Sequence, residues 1–148
     1  MTFLLDVNVI IALLDPMHHA HEDAHVWFEA EGARSWATCP MTENGALRII
    51  GHPRYPGSPG SPAAVAEALK SLRSLPGHQF WPDDLSLLDP GAADVAQVLT
   101  SGQVTDTYLL ALAVARGGRL ATFDRRLSPA AVRSGKGALT LIGSAVVN

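Results

Sequence analysis

Short apolar runs alternate with amphipathic segments along most of this chain. Residues 2–5 form an apolar, β-favouring run that stops at Asp6, and residues 9–14 continue as an apolar segment of helical length. Residues 21–31 carry apolar side chains at helical spacing and end before Gly32, a residue suited to the end of a helix. The pattern therefore predicts one strand followed by two helices.

The same alternation continues through the rest of the chain. Residues 35–39 are compatible with a strand that Pro40 ends, and residues 42–50 have apolar side chains on a helical repeat. Residues 51–62 contain too many prolines and glycines for a helix or a central strand, so they are predicted to form a loop. Three further helices are predicted: one over 63–75, one over 90–100 after a cap at Asp89, and one that ends at 115 after a cap at Thr105 or Asp106. Three further strands are predicted over 78–81, 119–124 and 138–147.

Strands that alternate with helices favour an α/β fold with a mainly parallel sheet. In such sheets ligands bind beyond the carboxyl ends of the strands, where helix N-termini also meet. Asp6 and Asp124 each end a predicted strand, while Glu43 and Asp106 lie in the first turn of a predicted helix. We therefore expect these four carboxylates to face one crevice.

Composition indicates an ordered domain. The chain has 148 residues, 47% of them hydrophobic and 17% charged, so a single domain over residues 1–148 can bury a sizeable core. Because Cys39 is the one cysteine, an intrachain disulfide and a multi-cysteine zinc cluster are excluded for this sequence. We see neither an apolar run long enough to cross a bilayer nor a signal-peptide pattern, so we expect a cytoplasmic protein without membrane contact.

A group of carboxylates stays ionised at close range only if positive charge compensates it, since each carboxylate raises the pKa of the others. Mg²⁺, or Mn²⁺ in its place, prefers hard oxygen ligands and is bound by a few carboxylates together with substrate phosphate oxygens. Such an ion lowers the pKa of bound water, which is the basis of metal-assisted phosphodiester hydrolysis. Structural roles remain open at single positions, because Asp106 could cap its helix and Glu43 could favour the helix dipole.

Each of the four acids lies in a short motif, and the motifs are Leu-Leu-Asp6-Val-Asn8, Thr42-Glu43-Asn44-Gly45, Thr105-Asp106-Thr-Tyr-Leu-Leu-Ala-Leu-Ala and Thr122-Phe-Asp124-Arg-Arg-Leu. In this order and spacing they resemble the PIN-domain ribonucleases, and within them the VapC toxins of bacterial toxin-antitoxin pairs. The resemblance covers nearly the whole chain. It implies a PIN-like three-layer α/β/α sandwich with a mainly parallel central sheet, usually present as a homodimer.

The resemblance also implies a function and a set of site residues. Similar proteins are Mg²⁺- or Mn²⁺-dependent endoribonucleases that cut structured RNA such as tRNA or rRNA and are silenced by a cognate antitoxin. The implied catalytic and metal-binding quartet is Asp6, Glu43, Asp106 and Asp124, with supporting polar residues Asn8, Thr105 and Thr122. The three aspartates would bind one or two ions, and Glu43 would be a further ligand or would orient the attacking water. The expected products carry a 5′-phosphate and a 3′-hydroxyl.

The charge distribution permits an RNA substrate. The formal net charge is -3, but the body of the chain is nearly neutral once the four site acids are set aside. Basic residues concentrate around Asp124, namely Arg116, Arg119, Arg125, Arg126, Arg133 and Lys136. We take Arg125 and Arg126, together with Arg48 one turn beyond Asn44, as candidate contacts for substrate phosphates; Arg48 could equally contact the antitoxin. A solvated face is the alternative for any one of them.

A histidine cluster suggests a competing metal site. His21 and His25 have the i, i+4 spacing of a zinc-binding helix face, and the literal His-Glu-x-x-His pattern is present; His18 and His19 precede them. No third ligand is signalled nearby, so a polar helix face or a partner contact explains the cluster more simply. The aromatic residues Trp27, Phe28 and Trp36 are left open between a core, a dimer face and an antitoxin groove, whereas Trp81 is assigned to the core.

Two other functional classes remain as alternatives. Another Mg²⁺-dependent phosphoryl-transfer enzyme, such as a phosphatase with an aspartyl nucleophile or a receiver domain, has a similar fold. Asn8 stands where the phosphatase has a second Asp, and the receiver's early adjacent acidic pair is missing. A catalytically silent α/β binding module is the remaining class, because such a domain can lose catalysis and keep a partner surface. The intact quartet argues against it.

Overall fold

Five parallel strands form the centre of the fold in the computed structural model, which describes residues 1–143. In chain order the strands are β1 (Phe3–Leu5), β2 (Trp36–Thr38), β3 (His78–Phe80), β4 (Arg119–Thr122) and β5 (Leu139–Leu141). The sheet order is β3-β2-β1-β4-β5, and β1 pairs with β2 on one side and with β4 on the other. Each strand runs parallel to its neighbour, which requires a crossover between successive strands.

Helices supply most of these crossovers and cover the sheet. They are α1 (Val7–Leu14), α2 (His21–Ala30), α3 (Pro40–Ile50), α4 (Pro62–Arg73) and α5 (Val104–Ala115). Within residues 1–143, no helix is both long enough and apolar enough to span a membrane.

The central strand β1 is buried on both faces, as expected for a sheet between two helical layers. Phe3 and Leu5 pack into a core that contains residues of α1 and α2. Leu4, whose side chain points to the opposite face, packs into a second core with α5. The predicted three-layer α/β/α sandwich with a parallel sheet is therefore confirmed.

The structure assigns the large aromatic residues to these cores. Trp27, Phe28 and Trp36 lie in the first core, where Phe3 packs edge-on against Trp27 with ring centroids 5.2 Å apart. Trp81 is buried in the second core, as predicted. The three aromatics that the sequence left open are thus part of the protein interior.

The predicted helix over residues 90–100 is wrong. This segment consists of turns and a short 3-10 helix at Val95–Gln97. Its aspartates bind the backbone locally, because Asp89 Oδ1 accepts a hydrogen bond from Gly91 N at 2.9 Å and Asp94 Oδ1 accepts one from Ala96 N at 3.1 Å. Such bonds compete with helical hydrogen bonds, and they prevail where few apolar side chains favour a helix.

Two further boundaries differ from the predictions. Helix α5 begins at Val104, so Asp106 lies in its first turn and neither Thr105 nor Asp106 is the cap. The last strand ends at Leu141, earlier than predicted, and the predicted strand residues 144–147 lie outside the described part of the chain.

Two histidines of the cluster, His21 and His25, cap the C-terminal end of α1. His21 Nδ1 lies 2.7 Å from the carbonyl oxygen of Ala12, and His25 Nε2 lies 3.0 Å from that of Leu13. These carbonyls belong to the last turn of α1, whose C=O groups have no partner within the helix. Each ring nitrogen must therefore be protonated and donate, which removes both atoms from zinc binding. The cluster has a structural role in helix capping.

Candidate active site

Asp6 lies at the carboxyl end of β1 and caps the helix that follows. Its Oδ1 accepts a hydrogen bond from Val7 N at 2.7 Å, and its Oδ2 accepts one from Thr122 Oγ1 at 2.8 Å. Only 6% of Asp6 is exposed. Burial raises the pKa of this carboxyl, while the two hydrogen bonds oppose the rise because they favour the ionised form.

Thr122 connects the candidate residues at the ends of β1 and β4. Its hydroxyl donates to Asp6 and accepts hydrogen bonds from Asn8 Nδ2 at 3.1 Å and from Asp124 N at 3.0 Å. Asn8 Oδ1 accepts a further bond from Phe123 N at 3.2 Å. Asn8 and Thr122 thus tie the start of α1 to the chain that leaves β4, which holds Asp6 and Asp124 in a defined relative position.

In the part of the chain that the structure describes, Thr105, the third predicted supporting residue, does not share the hydrogen-bond network of Asn8 and Thr122. It is exposed on α5, and within residues 1–143 the hydrogen bonds to the carboxylate of Asp6 come from Val7 N and the Thr122 hydroxyl, so Thr105 does not support that carboxylate.

Asp106 completes a group of three carboxylates drawn from three different elements. It lies half-buried in the first turn of α5. Burial, and then the charges of Asp6 and Asp124, raise the pKa of Asp106 to about 6. The three aspartates therefore interact electrostatically at the carboxyl end of the sheet, where parallel α/β folds bind ligands.

Glu43 belongs to a second network beside β2. Thr38 Oγ1 donates to Glu43 Oε2 at 2.7 Å, and Arg73 Nη1 lies 3.1 Å from the same oxygen. Because the Thr38 hydroxyl gives its one proton to Glu43, His78 Nε2, 2.7 Å away, must donate to Thr38. Burial lowers the pKa of His78, as does the charge of Arg73. The structure therefore brings Asp6, Asp106 and Asp124 into one group, whereas Glu43 is paired with a cation.

Sequence reasoning missed Thr38, Arg73 and His78. Thr38 ends β2, so the rule that placed Asp6 and Asp124 at strand ends could also have selected this residue. Arg73 comes from the end of α4, thirty positions from Glu43 along the chain, and contacts it because α3 packs against α4. No local motif signals that contact.

The three candidate substrate-binding arginines are exposed. Arg126 follows Asp124 closely, and its backbone N–H donates to Asp124 Oδ1 at 2.9 Å. Arg125 Nη2 donates to the carbonyl oxygens of Ile142 and Gly143 at 3.4 and 3.3 Å. Arg48 lines a separate open cavity of about 570 Å³ with residues of α3 and the loop that follows.

The donor chemistry of the aspartate group fits a hard divalent cation. All of its charged donors are carboxylate oxygens, the ligands that Mg²⁺ and Mn²⁺ prefer. The ion pairs found within residues 1–143 are Lys70–Glu67, Arg73–Glu43 and Arg116–Asp84, so none of them neutralises these three aspartates. In the same residues, no three His, Cys, Asp or Glu side chains lie in an arrangement that could hold a metal ion as it stands, so the three aspartates interact electrostatically without forming a preassembled metal site.

Comparison with known proteins identifies the family. Residues 3–132 match the family model of the PIN domain. The chain belongs to the PIN-domain family. This PIN domain is 46% identical over 132 residues to ribonuclease VapC44 of Mycobacterium tuberculosis, covering 89% of this chain and 92% of that protein. It is 44% identical over 131 residues to ribonuclease VapC39 of the same organism, covering 88% and 94%. The resemblance to the VapC branch of PIN domains is therefore confirmed.

A solved structure supports the PIN fold independently. The chain superposes on a chain from the crystal structure of VapBC2 from Rickettsia felis bound to a DNA fragment from their promoter, with a TM-score of 0.60. The alignment covers 95% of this chain and 97% of the other at 11% identity, so the likeness concerns the fold alone.

Proposed function

We propose that this chain, as a single PIN domain over residues 1–148, is a metal-dependent endoribonuclease and the toxin of a toxin-antitoxin pair. The observation that carries the proposal is the group of three aspartates, Asp6, Asp106 and Asp124, at the carboxyl end of a parallel sheet, which no ion pair within residues 1–143 neutralises. The relatives with 46% and 44% identity are ribonucleases by name, which supports the same chemistry.

In this proposal Asp6, Asp106 and Asp124 hold Mg²⁺, with Mn²⁺ as a substitute. The bound ion supplies an activated water and stabilises charge that develops on the phosphoryl oxygens. Thr122 positions Asp6 through the 2.8 Å hydrogen bond, and its link to Asn8 keeps both strand ends in register. Asp6 is buried, so it meets a ligand in a prearranged orientation.

Glu43 has a different part in the proposed reaction. Its bonds to Thr38 and Arg73 fix the direction of its carboxylate. An oriented carboxylate can accept a proton from the attacking water or add a further ligand to the site. Attack of water on phosphorus leaves a 5′-phosphate and a 3′-hydroxyl on the cut RNA.

The proposal extends to substrate and partners. The substrate is structured RNA such as tRNA or rRNA, and Arg48, Arg125 and Arg126 are exposed where they can contact its phosphates. The protein is expected in the cytoplasm as a homodimer that a cognate antitoxin inhibits. The presence of both VapB and VapC in the solved VapBC2 structure supports an antitoxin partner.

Cleavage of labelled RNA by the purified, antitoxin-free protein tests this function. We expect discrete products in Mg²⁺ or Mn²⁺, and none in EDTA or with Asp106→Asn, because the amide removes the charge and keeps the shape. Asp89→Asn, at an exposed aspartate in the loop before α5, is the matched control and should cleave normally. End mapping of the products identifies the bond that is cut.

Two results would count against this function. Full cleavage by both Asp6→Asn and Asp106→Asn would remove the proposed site. Absence of cleavage with every metal and RNA pool, together with unchanged growth when the wild type is expressed without antitoxin, would favour a catalytically silent binding module. We expect growth arrest by the wild type and normal growth with Asp6→Asn.

A further inference from the structure

A cavity of about 430 Å³ adjoins the group of aspartates. Asn8 lines this cavity and donates a hydrogen bond to Thr122, which in turn donates to Asp6. Asn8 therefore connects the wall of the cavity to the aspartate group through two hydrogen bonds.

The residues at and just after the end of β4 contribute side chains both to the aspartate group and to the cavity. Thr122 and Asp124 serve the aspartate group, whereas the alternate residues Phe123 and Arg125 line the cavity. The strand ends at Thr122 and the chain then bends at Phe123 and turns at Arg125, so one short stretch contributes to both places. This arrangement places an aromatic ring and a guanidinium next to a proposed metal ligand.

Flat rings form part of the cavity wall. His18 and His19 both line it, and their rings stack with centroids 4.5 Å apart and an interplanar angle of 24°. Burial, and then the charge of His19, lower the pKa of His18, which favours the neutral form of its ring. Phe123 adds a third, half-buried ring. Flat rings are the surfaces on which single-stranded bases stack.

Charged side chains also line this cavity. A Cβ atom placed on Gly143 would lie 3.5 Å from Asp23 Oδ2 and 3.8 Å from Phe123 Cδ1, so the carboxylate and the ring edge meet above this glycine. Arg125 is held at the wall by its bonds to the carbonyl oxygens of Ile142 and Gly143. Among the described residues, the cavity thus offers stacking surfaces, the carboxylate acceptor of Asp23 and the guanidinium cation of Arg125.

We propose that this cavity binds one nucleobase of the RNA substrate, next to the phosphodiester bond that is cut. The proposal rests on the proposed function and names a specificity subsite for it. His19 and Phe123 contact the base, Asp23 accepts a hydrogen bond from an exocyclic amino group, and Arg125 contacts a neighbouring phosphate. Adenine, guanine and cytosine carry such an amino group, so the subsite prefers them to uracil.

Binding of mononucleotides tests the subsite without catalysis. ¹⁵N-labelled protein in EDTA is titrated with 5′-AMP, GMP, CMP and UMP at millimolar concentrations, with ribose 5-phosphate as the ligand that lacks a base. We expect the amide resonances of Phe123 and Gly143 to shift most with the three amino-bearing nucleotides, and His19→Ala to raise their Kd roughly tenfold through loss of a stacking surface. Phe123→Leu should weaken binding in the same direction.

His52→Ala is the matched control, because His52 is exposed in the loop after α3 and does not line this cavity. It should leave the titrations unchanged. Absence of shifts with all four nucleotides, or equal shifts with ribose 5-phosphate, would overturn the proposal. Equal Kd values for wild type and His19→Ala would also overturn it.

Cleavage kinetics separate failure of the subsite from failure of the proposed function. If the wild type cleaves RNA, His19→Ala and Asp23→Asn should raise KM about tenfold with little change in kcat, and Asp23→Asn should alter base preference beside the cut. Unchanged KM and unchanged cut sites would contradict the proposed subsite but not the proposed nuclease activity. If the wild type does not cleave RNA, the proposed function fails, and the titrations alone decide whether the cavity binds bases.

Discussion

In the metal-free protein, Asp106→Asn should raise the stability of the fold, although it removes a carboxylate from the candidate active site. Burial, and then the charges of Asp6 and Asp124, raise the pKa of Asp106 from its ordinary 3.8 to about 6. A carboxyl whose pKa is raised in the folded state binds its proton more tightly there than in the unfolded chain. Ionisation of Asp106 therefore destabilises the fold, and the amide removes that effect.

The size and pH dependence of the gain follow from the pKa. One pKa unit corresponds to about 1.4 kcal/mol, which sets an upper bound of about 3 kcal/mol at neutral pH. Asp106 is only half-buried, so solvent screening reduces the expected gain to about 1 kcal/mol. The penalty is absent below about pH 4, grows up to about pH 6 and is constant above, so the gain should be full at neutral pH and vanish towards pH 4.

Urea denaturation in EDTA, followed by fluorescence of the buried Trp27, Trp36 and Trp81, measures this difference at neutral and acidic pH. A gain of about 1 kcal/mol corresponds to a rise of about 2–4 °C in Tm for a domain of this size. Asp89→Asn, which removes one exposed carboxylate, controls for the change in net charge. A loss of stability at neutral pH, an equal gain near pH 4, or an equal gain in the control would refute the reasoning.

Three further predictions concern single side chains. Thr122→Val should lower the free energy of unfolding by about 1–3 kcal/mol, measured in urea, because buried Asp6 loses a hydrogen-bond donor. His21→Ala should cost about 1 kcal/mol in the same assay, because the carbonyl of Ala12 at the end of α1 loses its donor. Burial raises the pKa of the Cys39 thiol to about 11, so a thiol reagent near pH 8 should label the native protein very slowly and the denatured protein rapidly.

Conservative changes serve as controls for these experiments. Thr122→Ser keeps the hydroxyl and should recover most of the stability, and equal losses for Val and Ser would point to packing instead. His19→Ala removes an exposed histidine near the same helix end, so a loss as large as that of His21→Ala would contradict the capping role. Rapid labelling of Cys39 in the native protein would show that its site opens readily.

Local pattern predicted the elements that bury large apolar faces. The strand at Phe3–Leu5 and the helix at Val104–Ala115 lie within two residues of the predicted bounds, because their apolar residues match the periods of a strand and a helix. The segment 90–100 failed because it is held by turns and by a distant contact, in which Asp94 N donates to the carbonyl of Ala131 at 2.8 Å. Such a contact leaves no periodic signal in the sequence.

Some residues of the candidate site could likewise be predicted from the sequence, and others could not. Asp6 and Asp124 could be placed because topology brings the ends of neighbouring parallel strands together. The pairing of Glu43 with Arg73 could not be predicted from the sequence, since it depends on how α3 packs against α4. The capping role of His21 likewise depends on how α2 packs against α1. Its spacing to His25 suggested a metal site, which the described residues 1–143 do not form.

The sheet order has a consequence for the synthesis of this protein on the ribosome. Strand β1 is synthesised before its partner β4, which begins only at Arg119, so one side of the central strand stays unpaired until β4 has been made. Thr122, which orients Asp6, arrives with β4. At elongation rates of about 5–20 residues per second, several seconds separate the two strands. A nascent chain therefore lacks the assembled aspartate group, and under the proposed function a growing toxin is harmless to the ribosome and RNA around it until β4 and Asp124 have been synthesised.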